Sequence, residues 1–367
     1  MTTYLLAGGG TAGHVNPLLA IADRLRRAHP DAEVLVLGTL EGLESRLVPA
    51  RGYELLTVPR LPFPRRPSVA ALRFPSRYRV AVRLVGGYLA DRGVDVVVGV
   101  GGYAAAPAYS AAHRARVPIA IHEANARPGF ANRLGARWAS AIGVAFRGTQ
   151  LQGRHGVSAE VVGMPLRPEI EDLAAPGRRA LVRPEALEFF GLAPDRPVLL
   201  VTGGSSGAQR VNDTVAAAAG AITNAGWQIL HLTGEYRDAV DSDLPGYHPV
   251  QYADRMDLAL AAADAAVSRA GTSTVAELAA LGIPTVFVPY AVGNGEQRLN
   301  AAEAVGVGGA LLIEDSAFSA EWASTGLVEL LSDRAALAKM AERMVATGVR
   351  DGSDRMVALI ERAVART

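Results

Sequence analysis

At 367 residues the chain is too long for one ordinary hydrophobic core and suits two α/β domains. Its composition is globular, 50% apolar and 20% charged, and a net charge of +1 leaves no global field to attract nucleic acid. Cysteine is absent, which excludes disulfides and thiolate sites, and no run of 18 apolar residues could cross a bilayer. The amino terminus has neither the basic nor the long apolar region of a signal peptide, so the expected location is the cytoplasm.

Short apolar, β-branched runs alternate with helical patterns along the whole chain. In the first half they predict strands near 3–7, 33–38, 54–58, 94–100, 118–122, 141–146 and 159–163. The second half adds 197–203, 227–233, 248–252, 264–268, 284–289 and 309–313. Most are apolar on both faces and separated by helices, the mark of parallel sheets covered on both sides. The fold class is therefore α/β, with two doubly wound, Rossmann-like parallel sheets. Pro165 and Pro168 make a rigid, non-helical crossing between the halves. The expected domains are 1–164 and 165–345, with 346–367 carrying a last helix near 353–366 that could pack back on the first domain.

Residues 8–17, Gly-Gly-Gly-Thr-Ala-Gly-His-Val-Asn-Pro, follow the first predicted strand and lead into a helix with Pro17 near its first turn. Such a loop offers amides and a helix dipole to an anion. It is neither of the common nucleotide fingerprints. No acidic residue ends the next strand as a dinucleotide site requires, and no Gly-Lys-Ser/Thr follows, since the one lysine is Lys339. His14 sits inside the loop. A phosphate cradle needs no histidine, whereas acid–base chemistry beside a phosphate does; a plain strand-to-helix turn is the alternative.

The second half repeats the device at Gly203-Gly204-Ser205-Ser206-Gly207-Ala208, after the strand 197–203. Ser268 to Glu277 forms a further loop, with Gly271 at the turn and Thr272 and Ser273 as capping residues. Glu277 reads either as an acid favoured by the helix dipole or as a carboxylate accepting two ribose hydroxyls. In 293–300, Glu296, Gln297 and Asn300 share one helical face, which suits an exposed helix start or a sugar-binding edge. All these loops follow strands, at the sheet edge where open α/β domains bind ligands.

Six segments occur in one order: Gly9–His14, Gly101-Gly102-Tyr103, His122-Glu123-Ala124-Asn125, Gly203-Gly204-Ser205, Gly271–Glu277 and Gly293–Asn300. Together they resemble the MurG family of bacterial N-acetylglucosaminyltransferases in peptidoglycan synthesis, in its actinobacterial form, from about residue 4 to 313. The resemblance implies a GT-B fold, with the two domains facing an interdomain cleft. It implies inverting transfer of GlcNAc from UDP-GlcNAc to the C4 hydroxyl of undecaprenyl-pyrophosphoryl-MurNAc-pentapeptide (lipid I to lipid II). His14 matches the family's general base. Thr11, Ala12 and Gly13 match its first loop, Asn125 a substrate contact, and Arg167 a basic residue after the crossing. On the donor side, Ser205 matches a phosphate contact, Ala253 a backbone group at uracil, Thr272 the donor loop and Glu277 the ribose carboxylate. Gln297 and Asn300 match the GlcNAc-facing helix. Ala12, Ala124 and Glu296 depart from the family, the first standing where many relatives have Gly and the other two where many have Gln. Neither metal nor cofactor is expected. Another GT-B acceptor, a UDP-GlcNAc 2-epimerase and a non-enzymatic sugar-nucleotide binder are the competing readings, because fold does not fix function.

Residues 55–90 hold seven arginines and no acid in a chain of near-zero net charge. Phe63, Arg65, Arg66, Arg73, Phe74 and Arg77 are the expected membrane patch, with prolines through Pro75 keeping its first part irregular. A solvated basic face is the alternative. A polyprenyl-linked acceptor stays in the bilayer, so its enzyme must dock there, peripherally, on anionic lipids of the cytoplasmic face.

Overall fold

The computed structural model describes residues 1–64, 66–154, 156–204, 207–235, 242–291 and 295–365. The chain divides into two compact units, Met1–Arg167 with Asp351–Thr367, and Pro168–Arg350. In the first unit the strands are β1 (Thr3–Ala7), β2 (Glu33–Gly38), β3 (Glu54–Thr57), β4 (Val96–Gly99), β5 (Ile119–Glu123), β6 (Ala141–Val144) and β7 (Ala159–Val161). In the second they are β8 (Val198–Thr202), β9 (Gln228–Leu232), β10 (Tyr247–Val250), β11 (Ala265–Ser268), β12 (Thr285–Phe287) and β13 (Ala310–Leu312). Each sits on an apolar run of the sequence, most of them trimmed at the ends.

Every described strand pair is parallel. The first sheet runs β3-β2-β1-β4-β5-β6-β7 and the second β10-β9-β8-β11-β12-β13. In both, the winding reverses beside the first strand, at β1/β4 and at β8/β11. Alternate side chains of one strand feed opposite faces. Leu6, Val36 and Val98 join one core with Leu18, Ile21 and Leu25 of the helix Ala12–Ala28. Leu5, Leu35 and Val97 join another with Val82, Val85 and Leu89 of the helix Val69–Asp91.

Two helix starts differ from the proline pattern. The first helix opens at Ala12, so Pro17 lies inside it and cannot donate to the Gly13 carbonyl one turn back. The helix Val69–Asp91 is capped by the Ser68 hydroxyl, which accepts from the Ala71 amide, and carries Pro75 within it. The cap offsets the early proline, so residues 69–75 are helical rather than irregular.

The last helix, Gly352–Ala365, belongs to the first unit. Met356, Leu359 and Ile360 are buried in the Leu6 core, while Glu361 meets His29 Nε2 at 2.8 Å and Arg362 meets Glu160 at 2.6 Å. Because Ile360 is wholly buried, Ile360→Ala should destabilise the first unit by about 2–5 kcal/mol. Denaturant unfolding followed in that unit checks it; a loss below about 0.5 kcal/mol would mean the helix is not part of this core.

Candidate active site

In the first unit the candidate site is built at the switch point, from the loops that follow β1 and β4. Open α/β sheets bind ligands at this place. Gly101 and Gly102 after β4 both have positive φ, +93° and +83°. A Cβ on Gly102 would lie 2.4 Å from the Gly9 carbonyl oxygen, and one on Gly101 would lie 3.1 Å from His14 Nε2. The two glycine loops are therefore stacked, and the imidazole of His14 rests on the second. Thr11, the N-cap of the first helix, is exposed, and its hydroxyl is 3.2 Å from His14 Nδ1. Ala12 opens that helix, and Gly13 is half-buried in its first turn. Burial holds the His14 pKa below the ordinary imidazole value, against the opposing charge of Glu44.

The loop differs from an open phosphate cradle. The Gly8 amide bonds the Leu37 carbonyl at 3.1 Å, and the Gly10 amide donates to Glu44 Oε2 at 2.7 Å. Both are engaged inside the protein. The acid is a residue of the chain itself.

Beside His14 lies a cavity of about 360 Å³ with a polar end and an apolar end. Glu123, Asn132 and the Gly101–Gly102 backbone form the polar end; Leu61, Phe63, Phe74, Tyr78, Phe130 and Leu134 form the other. The aromatic rings pack on one another, Phe63 on Phe130 at 4.4 Å and on Phe74 at 5.5 Å between centroids. Tyr78 anchors the wall through its hydroxyl, 2.9 Å from the Ala106 carbonyl.

Glu123 is a site residue that sequence reasoning left without a role. It ends β5, buried, and accepts from the Asn125 and Gly129 amides and from Asn132 Nδ2, each at 2.9 Å. Burial raises its pKa, and those hydrogen bonds oppose the rise. An acid closing the buried run Ile-Ala-Ile-His-Glu was the available signal. Asn125 is half-buried beside it, and its carbonyl accepts from the Thr149 hydroxyl at 3.3 Å. Arg167 is half-buried at the end of the unit.

The expected membrane patch is exposed at most of its described residues. Arg66, Arg73 and Arg77 are exposed, as are Leu72 at 84% and Val69 at 64%. Phe63, 52% exposed, and the half-buried Phe74 pack edge-on against each other and also wall the cavity. Arg65 lies outside the described residues.

The second unit places its loops at the β8/β11 switch point. Gly203 and Gly204 follow β8, and the Gly207 amide returns to the Gly204 carbonyl at 2.9 Å before the helix Gln209–Asn224. Ser205 lies outside the described residues, as do Gly293 and Asn294. After β11, Arg269 is buried and donates to the Val288 and Pro289 carbonyls at 3.0 and 3.1 Å, and to Asp315. Asp315 also meets Arg210 at 3.0 Å, tying the two loops together. Thr272 and Glu277 are buried in the helix Thr272–Leu281. Ala253 is half-buried, three residues past β10.

Gln297 and Asn300 lie in the helix Glu296–Gly306 and hold loop backbone. Gln297 Oε1 accepts from the Tyr290 amide at 2.9 Å, and Asn300, 1% exposed, donates to the Ala270 carbonyl at 3.2 Å. Two further cavities, of about 430 and 410 Å³, share Arg179, Arg183 and Asp264. They lie at the amino-terminal edge of the second sheet, away from these loops.

Two parallel-sheet units, each with glycine loops at its switch point, are the build of the two-domain glycosyltransferases. Residues 4–144 match the N-terminal domain of glycosyltransferase family 28, and residues 198–356 match its C-terminal domain. A UDP-N-acetylglucosamine--N-acetylmuramyl-(pentapeptide) pyrophosphoryl-undecaprenol N-acetylglucosamine transferase of Leifsonia xyli is 63% identical over 98% of both chains. One of the same description from Bifidobacterium longum is 46% identical, over 96% of this chain and 95% of that one. The crystal structure of Acinetobacter baumannii MurG superposes with a TM-score of 0.78 at 26% identity, over 98% of this chain and 99% of that one. A UDP-GlcNAc 2-epimerase of Neisseria meningitidis shares the fold, with a TM-score of 0.68 at 13% identity over 98% of this chain and 100% of that one. The chain belongs to glycosyltransferase family 28 and, within it, to the MurG family.

The second unit also carries a buried histidine away from its loops. His231 sits between the Tyr247 hydroxyl at 2.9 Å and Asn212 Oδ1 at 3.2 Å, and burial lowers its pKa to about 4. The unfolded imidazole titrates near 6.5, so between these values the unfolded chain binds the extra proton. The contribution of this site to stability is complete above about pH 6.5 and falls by about 3 kcal/mol as the pH drops towards 4. His231→Gln should flatten that part of the second unit's stability profile. An unchanged slope between pH 6.5 and 4 would contradict the assignment.

Proposed function

We propose that the protein transfers GlcNAc from UDP-GlcNAc to the C4 hydroxyl of undecaprenyl-pyrophosphoryl-MurNAc-pentapeptide, with inversion at the sugar carbon. The observation that carries the acceptor half is His14 beside a cavity with one polar and one aromatic end. An amphiphilic acceptor fits such a space. Full-length identity of 63% to a transferase of that description supports the choice of substrates over an epimerase, whose likeness is in fold alone.

The acceptor oxygen attacks the anomeric carbon as the bond to UDP breaks, and its proton passes to His14. Burial favours the neutral ring, the form that can accept that proton near pH 7. Thr11, Ala12 and Gly13 form the turn that carries His14, while Asn125 and Arg167 contact substrate. UDP leaves with the diphosphate charge placed at Ser205 and the start of the helix Gln209–Asn224. Glu277 takes the ribose hydroxyls, Thr272 lines the donor loop, and the Ala253 backbone meets uracil. Gln297 faces GlcNAc. Asn300 acts through the Ala270 carbonyl it holds, as its burial indicates.

The measurement is incubation with labelled UDP-GlcNAc and a short-chain acceptor analogue. Labelled disaccharide should form with one UDP released per transfer. Conversion of the donor without acceptor would replace this reading with epimerisation. His14→Ala should lower turnover by about 10²–10⁴-fold while UDP still binds; near wild-type turnover at saturating substrates would remove His14 from the role.

No helix among the described residues is long and apolar enough to cross a membrane. Docking on anionic lipid at the cytoplasmic face fits the exposed Arg66, Arg73, Arg77, Leu72 and Val69. Each basic residue near such a surface contributes roughly 1 kcal/mol. The variant R66S/R73S/R77S/L72S should lose salt-sensitive binding to anionic vesicles and keep activity on a water-soluble acceptor. It spares Phe63 and Phe74, which wall the cavity. Undiminished vesicle binding by this variant would place the docking surface elsewhere.

A further inference from the structure

Glu44 is 1% exposed and has no role in the reaction described above. It opens the short helix Glu44–Ala50, and its side chain returns beneath the first glycine loop. Oε1 accepts from the Thr39 amide at 2.9 Å and the Thr39 hydroxyl at 2.8 Å, while Oε2 accepts from the Gly10 amide at 2.7 Å. Three glycines make room for it. A Cβ on Gly9 or Gly42 would lie 2.3 or 2.0 Å from a carboxylate oxygen, and one on Gly38 would lie 2.5 Å from Cγ. Segments ending β1 and β2 and beginning the next helix thus converge on one buried acid. A buried acid is costly unless its oxygens are bonded, so this site is built for it.

We propose that Glu44 is a positioning residue for the transfer reaction, clamping the first glycine loop that carries His14 and placing a carboxylate within that loop. The clamp reaches the imidazole through two rigid contacts. Gly10 is held by Glu44, and the adjoining Gly9 is packed under Gly102, whose neighbour Gly101 touches the ring. The charge reaches it through space and favours the imidazolium that forms when the acceptor proton arrives. The other groups around His14 are the Thr11 hydroxyl on its own turn, His122 and Glu123 from β5, and Tyr103 beyond the second loop. His122 is kept neutral near neutral pH, since burial holds it at about 4. Burial raises the Glu123 carboxyl above the ordinary range, and its charge is not among the causes acting on His14. Glu44 remains the acid whose charge acts on His14.

This inference rests on His14 as the base, and the test separates the two. The His14 ring is followed by NMR titration, its signal identified by its loss in His14→Gln. In Glu44→Gln, which keeps the shape and removes the charge, His14 should titrate at lower pH than in the parent. The acid limb of the turnover profile should move down with it, and plateau turnover should fall about tenfold to a hundredfold with UDP affinity unchanged. An unmoved His14 titration in folded Glu44→Gln overturns the proposal, whatever His14 does in catalysis. Normal turnover in His14→Gln overturns the base assignment alone. If Glu44→Gln does not fold, Thr39→Val serves. It removes one hydroxyl donor from the carboxylate, and turnover should fall about fivefold at unchanged acceptor KM. Unchanged turnover in Thr39→Val then overturns the proposal.

Discussion

A parallel sheet delivers the carboxyl ends of all its strands, and the loops that follow, to one edge. Where the winding reverses, two such loops stand side by side with no crossover helix between them. Each unit depends on that constraint. In the first unit it stacks the loop after β1 on the loop after β4 and leaves the His14 ring against Gly101. In the second it brings the loop after β8 beside Arg269 after β11, with Asp315 joining them.

Charge completes what topology begins. Glycine loops are commonly read as waiting for a phosphate, yet here the Gly10 amide already holds the Glu44 carboxylate. An internal acid makes the loop rigid before any ligand arrives, and it turns a binding device into a support for an imidazole. The same economy appears at Arg269, whose guanidinium is spent on the Val288 and Pro289 carbonyls and on Asp315. Rigid first contacts of this kind are what in-line displacement requires, since small misplacements of reacting groups lower rates steeply.

Much of this was legible in the sequence. The strands announced themselves as apolar runs, and the loops by glycine after each run. The prolines misled at two helix starts. Pro17 and Pro75 sit inside helices, the second in one whose start the Ser68 hydroxyl caps, and a local proline pattern does not carry that information. Side-chain direction was the other gap. Phe63 and Phe74 lie in a basic stretch and read as membrane anchors; tertiary packing adds that Phe63 meets both Phe74 and Phe130. Glu44 was invisible for a related reason. Its partners Gly10 and Thr39 are brought together by the β1–β2 pairing and not by spacing along the chain.

The central claim is that the first unit presents an amphiphilic acceptor to His14. The most direct measurement is a crystal structure of the protein with a short-chain acceptor analogue bound. The account predicts the sugar C4 hydroxyl within about 3 Å of a His14 ring nitrogen, with the lipid chain running towards Phe63, Phe74 and Phe130. An ordered acceptor bound away from these residues, its hydroxyl out of reach of His14, would contradict it.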